Sequence, residues 1–474
     1  MFYWAKALDF LEADPSPEGD GDQMYLFYSV ALTFGFLLML PLFLLRREKY
    51  ASGFSQRLGN YPQFINDGRP VIWLHCVSVG ETNAARPLVE ELTSKFPRHR
   101  LVISTTTKTG QDLAQKLFVG KAGAVFYFPF DWKLSVRKAL ENYKPSVVLL
   151  METEIWPRFI LEAKEGGAKV AIVNGRLSER SAARYGMFRP LIKRVLANID
   201  LALMQGENDL RRIVSLGLDG KKAKTTGNVK FDLQLNQSDE AMTRELNDRF
   251  RFTDMGTDAR RVVRPLIAAA STHEPEERWI LEAFCSAAAG AEEIKPRLLI
   301  ASRHPERFDA VAKLVHQFSS DPSCEWPGYT TVRRSQPASP DDANVDVIIL
   351  DSIGELRAVY PLAEIVFVGG SLIPHGGQSV LEPAAAGKAI ITGHHTHNFE
   401  EAVRTFLGNN ALIQLPAKSG EQIVDELFLA ISDLLENDVG RRTLGLNAAA
   451  VMTANRGATE RTANALAQII HRAN

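Results

Sequence analysis

The stretch VFVGGSLIPHGGQSVLEPAAAGKAIITG, residues 366–393, decides how this chain folds. An apolar run at Ile365–Val368 ends in two glycines, and a second glycine pair, Gly376 and Gly377, precedes another apolar run that begins at Ala389. This order predicts a strand, a glycine loop, a helix and a second strand, the usual connection between parallel strands. Because backbone N–H groups in such a loop and in the first helical turn face outward, the stretch also predicts an anion site.

The helix after this loop is predicted to open at Ser379, with Glu382 in its first turn. A carboxylate at that position can accept hydrogen bonds from the two neighbouring hydroxyls of a ribose. An anion site beside a diol acceptor indicates a nucleotide-activated sugar as the ligand. The alternative is an ordinary β-α-β turn whose glycines only permit close packing, and this stretch alone leaves both readings open.

Apolar runs of strand length alternate with helical patterns along most of the chain. In the first half these runs are Val71–His75, Leu101–Thr105, Val125–Phe128, Val147–Met151, Lys169–Val173 and Leu201–Met204. In the second half they are Arg264–Ala270, Arg297–Ala301, Val345–Leu350, Ile365–Val368 and Ala389–Thr392. The alternation predicts two α/β domains, each a doubly wound Rossmann-like sheet, at 47–235 and 263–474, with a polar linker at 236–262. We expect the two domains to face a cleft, with ligands at the carboxyl ends of the strands.

Composition narrows the class of protein further. The chain has 474 residues and a formal net charge of −1, so no overall field points toward nucleic acid as a partner. Its three cysteines, Cys76, Cys285 and Cys324, are too widely spaced for a disulfide framework or a zinc site. Three cysteines without a disulfide pattern fit a protein of a reducing compartment.

One segment near the start differs from the soluble pattern. Residues 24–45 carry no charge and have about the length that crosses a bilayer core, and three basic residues follow within 46–49. We therefore predict a single-pass transmembrane anchor at 24–46 with the rest of the chain on the cytoplasmic side; a re-entrant or interfacial helix is the alternative. The acidic residues 1–23 are predicted to form a disordered tail, and Met24 is an alternative start.

Several polar residues follow predicted strands in the first half of the chain. Glu81 comes after a glycine turn at a helix start, where it is either a functional carboxylate or a helix-capping acid. Glu152 and Glu154 follow the strand that ends at Met151, and burial of two acids without partners is costly. Lys230 lies between apolar neighbours, and it is either a solvated surface charge or a cation that faces an anionic group.

The second half offers a corresponding set of polar residues. Arg303 and His304 follow a strand and precede a helix, so we expect them at the same sheet edge as the glycine loop, and arginine offers a fork for phosphate. A surface arginine in a solvated turn is the alternative. Three histidines within 393–399 are either a metal site or part of a loop, and the carboxylate or cysteine partners expected of a metal site are missing. No phosphate-binding Walker sequence, G-x-S-x-G elbow or G-x-G-x-x-G fingerprint is present.

Eight sequence blocks, in order, make the chain resemble one family. They are HCVSVGET, STTTKTGQDLA, METEIWP, NGRLSERSA, TGNVKFD, AASTHEPEE, RHPERF and FVGGSLIP-HGG-LEPAAAG, spread between about Tyr50 and Arg404. This set is similar to that of the lipid A Kdo transferases, the 3-deoxy-D-manno-octulosonic acid transferases. A short N-terminal membrane anchor is also a feature of that family.

The resemblance implies an inverting glycosyltransferase of the GT-B fold. Such an enzyme moves Kdo from CMP-Kdo to the tetra-acylated lipid A precursor (lipid IVA) at the inner face of the cytoplasmic membrane. Glu81 then corresponds to the general base, and Glu152 and Lys230 to residues that stabilise the transition state. The implied contacts to CMP are Ser302, Arg303, Ile353, Gly354, Glu355, Ser379, Val380, Leu381 and Glu382. No metal or other cofactor is implied, since cationic side chains can compensate the anionic donor.

The chain departs from the family pattern around the glycine loop. Where the family shows G-G-H-N-P-L-E, residues 376–382 read GGQSVLE, and I-G-E at 353–355 replaces M-G-E. At 393–399, GHHTHNF replaces G-P-H-T-F-N-F. These changes leave open a GT-B enzyme with another nucleotide sugar as donor. A membrane-anchored binding module without catalysis is the rival from a different class, although such a module has no need of a base.

Overall fold

Two parallel sheets, each of seven strands, form the framework of the part of the chain that the structure describes. The structure is a computed structural model that describes residues 20–45, 52–232, 237–253, 264–291, 293–322 and 324–471. It divides into two units. The first unit contains the residues up to Asp232 and those from Arg456 onward, and the second contains residues 233–455. The predicted α/β class is confirmed.

The first unit contains the first sheet. Its strands are β1 (Val71–Cys76), β2 (Arg100–Thr105), β3 (Ala124–Tyr127), β4 (Pro145–Met151), β5 (Lys169–Gly175), β6 (Leu201–Met204) and β7 (Ala223–Thr225). Their spatial order is β3-β2-β1-β4-β5-β6-β7, so the order reverses between β1 and β4. All six residues of β1 are buried, as expected for a parallel strand covered on both faces. Ligands of such sheets bind where the order reverses.

Helices of the first unit connect these strands and cover the sheet. They are α1 (Asp20–Leu45), α2 (Phe54–Arg57), α3 (Val79–Lys95), α4 (Lys108–Leu117), α5 (Lys133–Tyr143), α6 (Pro157–Glu165), α7 (Glu179–Gly186), α8 (Arg189–Ala197) and α9 (Glu207–Ser215). Hydroxyl side chains fix several starts: Ser78 caps α3, Thr107 caps α4 and Ser178 caps α7. Short 3₁₀ turns occupy Gly220–Lys222 and Val229–Asp232.

The second unit repeats this plan. Its strands are β8 (Leu266–Thr272), β9 (Arg297–Ser302), β10 (Thr331–Arg333), β11 (Val347–Ile349), β12 (Ile365–Val368), β13 (Ala389–Thr392) and β14 (Ile413–Gln414). Their order, β10-β11-β9-β8-β12-β13-β14, brings the carboxyl ends of β11, β9, β8 and β12 to one edge. The sequence did not predict β7, β10 and β14, which have at most three residues and so show no apolar run.

Eight helices belong to the described part of the second unit. They are α10 (Gln237–Phe250), α11 (Glu276–Gly290), α12 (Phe308–Phe318), α13 (Leu356–Val359), α14 (Leu381–Ala385), α15 (Glu400–Gly408), α16 (Glu421–Glu436) and α17 (Asp438–Ala454). Further 3₁₀ turns lie at Pro305–Arg307, Pro340–Asn344 and Tyr360–Leu362. Within the predicted linker, 254–262 and residue 236 lie outside the described residues. Helix α10, which begins in the predicted linker, packs on the rest of the second unit, where Arg249 contacts Asp342 at 2.6 Å.

The last helix, α18 (Ala458–Ile470), belongs to the first unit. The sequence grouped it with 263–474, but Leu466 and Ile470 are buried in the same apolar cluster as residues of β1 and α3. The Asp232 carboxylate accepts hydrogen bonds from the N–H groups of Gly457 and Thr459, both at 2.6 Å. The sequence assigned α18 to the wrong unit because this packing joins residues far apart in the chain, and no local pattern indicates it.

Helix α1 contacts the first unit through polar groups. The Tyr28 hydroxyl donates to Asp131 at 2.7 Å, and Arg158 donates to the carbonyl oxygen of Tyr25 at 3.1 Å. Over the described residues, no helix combines the length and the apolarity that crossing a membrane requires. The anchor at 24–46 therefore stays a prediction, and residues 1–19 of the predicted tail lie outside the described residues.

Replacement of Asp232 by alanine is expected to lower the melting temperature by a few degrees. It removes the acceptor of two N–H groups at the start of α18, and loss of such a cap costs about 0.5–2 kcal/mol. Thermal unfolding of the purified protein measures the effect. Asp219→Ala is the matched control, since Asp219 accepts one N–H group of an exposed turn. Equal shifts in both variants contradict the prediction.

Candidate functional site

Glu81 lies in the first turn of α3, directly after β1. Its carboxylate accepts the Val77 N–H at 2.7 Å and the Ser78 hydroxyl at 3.2 Å, and the Ser78 hydroxyl oxygen accepts the Glu81 N–H at 3.4 Å. This reciprocal arrangement closes the helix start. Glu81 is therefore a capping acid, and its side chain is only 7% exposed. Burial of a carboxyl group with so few hydrogen-bond donors disfavours its charged form.

Glu152 follows the last residue of β4 in a left-handed backbone conformation. Its φ is +54°, which is uncommon for a residue with a side chain and costs about 1–3 kcal/mol. The Glu152 N–H donates to the Val173 carbonyl oxygen at 2.9 Å, so β5 holds the strained residue in place. Strain of this kind is found at functional sites, where it aims a side chain.

Lys230 forms an ion pair with Glu152. The Nζ atom of Lys230 is 2.8 Å from Oε1 of Glu152, and each side chain is about a quarter exposed. The neighbours Val229 and Phe231 are buried, so the 3₁₀ turn that contains them presents Lys230 on its accessible side. The Val229 N–H donates to the side chain of Asn174, which ties this turn to the end of β5.

Three carboxyl groups interact electrostatically at this edge of the first sheet. Burial, followed by the nearby negative charge of Glu152, raises the pKa of Glu81 from 4.5 to about 8, although the Val77 N–H opposes this rise. Burial and Glu152 likewise raise the pKa of Glu154 to about 7. A carboxyl group that gains and loses its proton near neutral pH is suited to general acid–base chemistry.

The predicted CMP contacts all belong to the second unit and lie at three strand ends. Ser302 ends β9 and Arg303 follows it, and the Arg303 N–H donates to the Thr272 carbonyl oxygen at 3.0 Å. After β11, Gly354 has a φ of +91° and Ile353 is 80% exposed. The sheet order makes these ends neighbours.

Glu355 and Glu382 both lie at helix starts in the second unit. The Glu355 carboxylate accepts a hydrogen bond from Arg334 at 2.9 Å. Burial raises the pKa of the Glu382 carboxyl group, while the charges of Arg357 and Arg303 and the Ser379 hydroxyl oppose that rise. The charges of two arginines and of Asp239 thus act on the predicted ribose acceptor.

The glycine loop has the predicted strand-loop-helix-strand order, but its amide groups are used differently. The N–H groups of Gly370, Ser371 and Leu372 donate to the buried carboxylate of Glu276 at 2.7–3.0 Å. These three N–H groups, which precede the Gly376–Gly377 pair of the predicted anion site, do not face outward, because an internal acid accepts their hydrogen bonds. Helix α14 begins at Leu381 and not at Ser379, and it has five residues, so it is too short to act as an anion site by itself.

The four predicted contacts at 379–382 divide by burial. Ser379 and Glu382 are partly exposed, whereas Val380 and Leu381 are buried and offer a ligand only their backbone. The histidines of 393–399 border the same loop: a Cβ atom at Gly376 would lie 2.6 Å from Nε2 of His397. Over the described residues, no group of three or more His, Cys, Asp or Glu side chains has a metal-binding arrangement.

Sequence reasoning missed two residues of this edge, Glu276 and His273. Both stand in the quoted block AASTHEPEE, and both are buried, Glu276 fully. The available signal was an acid in the first turn of a helix that follows a strand, the same placement as Glu81. The partners of Glu276 come from the loop after β12, about 95 residues further along the chain, and no local pattern identifies them.

Comparisons with known proteins agree with the resemblance. A family model described as 3-deoxy-D-manno-octulosonic-acid transferase (kdotransferase) matches residues 52–233. The chain is 32% identical to the 3-deoxy-D-manno-octulosonic acid transferase of Haemophilus influenzae, covering 92% of this chain and 96% of the relative. It is 31% identical to that of Bordetella pertussis, covering 83% and 86%.

A solved structure supports the fold alone. The UDP-GlcNAc 2-epimerase of Neisseria meningitidis bound to UDP-GlcNAc has a TM-score of 0.54 and 13% identity. The alignment covers 85% of this chain and all of that one. Together with the two parallel sheets, this likeness supports a GT-B-like α/β fold.

Glu81→Gln is expected to be more thermostable than the wild type, by a margin that grows from about pH 5 to about pH 8. The pKa of Glu81 is about 8 in the folded state and ordinarily 4.5, so the unfolded state loses this proton first. The free energy of unfolding of the wild type therefore falls by about 1.4 kcal/mol per pH unit as the pH rises between these values. The amide introduced by Glu81→Gln does not titrate, so the variant does not lose this stability.

Melting temperatures of the two proteins across this pH range test the prediction. Glu90→Gln is the matched control, because Glu90 is exposed on the same helix. We expect its melting temperature to keep a constant offset from the wild type. A constant offset for Glu81→Gln as well shows that Glu81 keeps its ordinary pKa.

Proposed function

The chain belongs to the family of 3-deoxy-D-manno-octulosonic acid (Kdo) transferases, and we propose that its donor is CMP-Kdo and its acceptor lipid IVA, the tetra-acylated lipid A precursor. Membership makes the protein a glycosyltransferase of lipopolysaccharide biosynthesis. The observation that carries the finer proposal is the buried Glu81 carboxyl group, whose raised pKa suits a base, beside the Glu152–Lys230 ion pair.

Glu81 acts as the general base in the proposed mechanism. Its carboxylate takes the proton from an acceptor hydroxyl while the hydroxyl oxygen forms a bond to the anomeric carbon of Kdo. The bond from that carbon to the phosphate oxygen breaks, and CMP leaves with the electron pair. Attack on the face opposite to CMP inverts the configuration. The raised pKa gives Glu81 the basicity to hold the transferred proton.

Lys230 and Glu152 stabilise the transition state as a pair. Lys230 supplies a positive charge, and its ion pair with Glu152 fixes the position of that charge before reaction. Glu152 also raises the pKa of Glu81, which gives this residue a second, electrostatic role. The strained backbone at Glu152 fits a residue held in position for chemistry.

The second unit binds CMP in this proposal. Arg303 faces the phosphate with a charged fork, and Glu382 accepts hydrogen bonds from the ribose hydroxyls. Ser302, the backbone at 353–355 and Ser379 complete the contacts. Another nucleotide sugar remains the alternative donor, because Gln378, Ser379 and Val380 depart from the family pattern. A binding module without catalysis is disfavoured, since the family consists of transferases.

Glu81→Ala is expected to reduce Kdo transfer at least about a hundredfold while CMP affinity changes less than about twofold, because a general base acts only in the chemical step. The assay combines purified protein, lipid IVA and CMP-Kdo generated in place, with mass spectrometry of the lipid. The number of added Kdo units is read from the same spectrum. Glu90→Gln serves as the control and is expected to retain full activity.

Two outcomes contradict this assignment. A well-folded Glu81→Ala protein that no longer binds CMP places the residue in donor binding. A wild-type protein that binds CMP but yields no Kdo product points to another donor sugar, and UDP-linked neutral sugars are then the donors to compare.

We also propose that the protein is attached to the cytoplasmic face of the inner membrane through residues 24–46. The support is the uncharged sequence, the basic residues after it and the lipid nature of the acceptor. Six apolar side chains of α1 are more than half exposed: Leu26, Phe27, Val30, Phe34, Leu37 and Leu38. Lipid is the expected environment for such a surface.

Replacing both Phe27 and Phe34 by aspartate is expected to move much of the protein from the membrane to the soluble fraction. Both side chains are 61–62% exposed, so the change leaves the contacts of α1 with the first unit intact. Fractionation of cells by centrifugation measures the distribution. Val119→Asp, at an exposed position elsewhere in the first unit, is the control. Unchanged membrane association of the double variant contradicts attachment through this surface.

A further inference from the structure

His273 has a buried ring nitrogen without a hydrogen-bond partner. The residue follows β8, its side chain is 6% exposed, and no described residue bonds to its Nε2 atom. An unsatisfied buried polar atom costs about 1–3 kcal/mol, so native structures rarely keep one without a purpose. The orphaned nitrogen lies at the sheet edge where the donor is proposed to bind.

Basic groups surround this ring. The centroid of His273 lies 4.2 Å from that of His375 and 5.1 Å from that of His304. Burial, followed by these two histidines, Arg303 and Arg307, lowers the pKa of His273 to about 4. At neutral pH the ring is therefore uncharged, and it can donate a hydrogen bond inside a positive field.

Acidic groups in contact with this cluster are already engaged. Arg307 pairs with Glu277 at 3.1 Å and also with Glu274. Glu276 accepts the backbone N–H of His273 at 3.0 Å, and it also accepts the three backbone N–H groups of Gly370, Ser371 and Leu372. These three amides are therefore not available to a ligand, and the side chains beside them are candidate donors.

Gly370 lies close to the orphaned nitrogen, where its missing side chain avoids a tight contact with the His273 ring. A Cβ atom at this position would lie 3.4 Å from Nε2 of His273 and 3.5 Å from Nε2 of Gln378. Two potential donor nitrogens thus converge on the bare Cα of a glycine whose φ is +67°. Gln378 is one of the positions where this chain departs from the family pattern.

We propose that His273 and Gln378 together bind an oxyanion of the sugar-nucleotide donor, either the phosphate of CMP or the carboxylate of the sugar acid. The inference rests on the proposed function and deepens it. His273 donates from Nε2, Gln378 donates from its amide, and Arg303 supplies the charge. No bond is made or broken at either residue, so both are binding residues.

The test measures donor binding by His273→Ala and by Gln378→Ala in the full-length protein. Calorimetry gives affinities for CMP and for cytidine, and the transfer assay gives KM for CMP-Kdo. We expect each variant either to bind CMP about tenfold more weakly or to have a KM for CMP-Kdo about tenfold higher. Gln378→Ala keeps the test valid if His273→Ala does not fold, because Gln378 is only partly buried. His316→Ala, at an exposed position of the same unit, is the control.

The ligands separate the two sources of the oxyanion. Weaker binding of CMP with unchanged binding of cytidine identifies the phosphate. Unchanged CMP affinity with a higher KM for CMP-Kdo identifies the sugar carboxylate. Unchanged affinities and KM in both variants overturn this inference and leave the proposed function standing. Wild-type protein that fails to bind CMP overturns the proposed donor, and this inference with it.

Discussion

The fully buried carboxylate of Glu276 is the constraint on which the donor edge of the second unit depends. One of its oxygens accepts the backbone N–H groups of His273 and Gly370. The other accepts those of Ser371 and Leu372, in the loop after β12. A buried carboxylate is tolerated only when such donors surround it. The turn after β8 and the loop after β12 therefore stabilise each other through this carboxylate.

The first unit places an acid in the same position with fewer hydrogen-bond donors around it. Glu81, like Glu276, follows a strand and lies in the first turn of the next helix. It accepts only one backbone N–H and one hydroxyl, and Glu152 and Glu154 add negative charge nearby. Burial raises the pKa of both carboxyl groups, but four backbone N–H groups oppose that rise at Glu276 and only one does so at Glu81.

Much of this arrangement could be read from local patterns. The apolar runs predict every strand of four or more residues, and the strand-end positions of Glu81, Glu152 and Arg303 follow from them. The ion pair of Lys230 with Glu152 joins residues 78 positions apart, and the backbone strain at Glu152 depends on β5. Neither has a sequence signal, because both arise only when distant elements pack. The donors to Glu276 and the return of α18 to the first unit are hidden for the same reason.

The return of α18 makes the second unit an insertion within the first. The chain leaves the first unit after Asp232 and re-enters it at Arg456, and the Asp232 carboxylate contacts the Gly457 N–H at 2.6 Å. During synthesis on the ribosome, the second unit is complete before the first receives its last helix. The turn that carries Lys230 can gain its support from that helix only when translation has nearly ended. Because the two crossing points are adjacent, a short linker from 232 to 456 can close the first unit into one continuous chain.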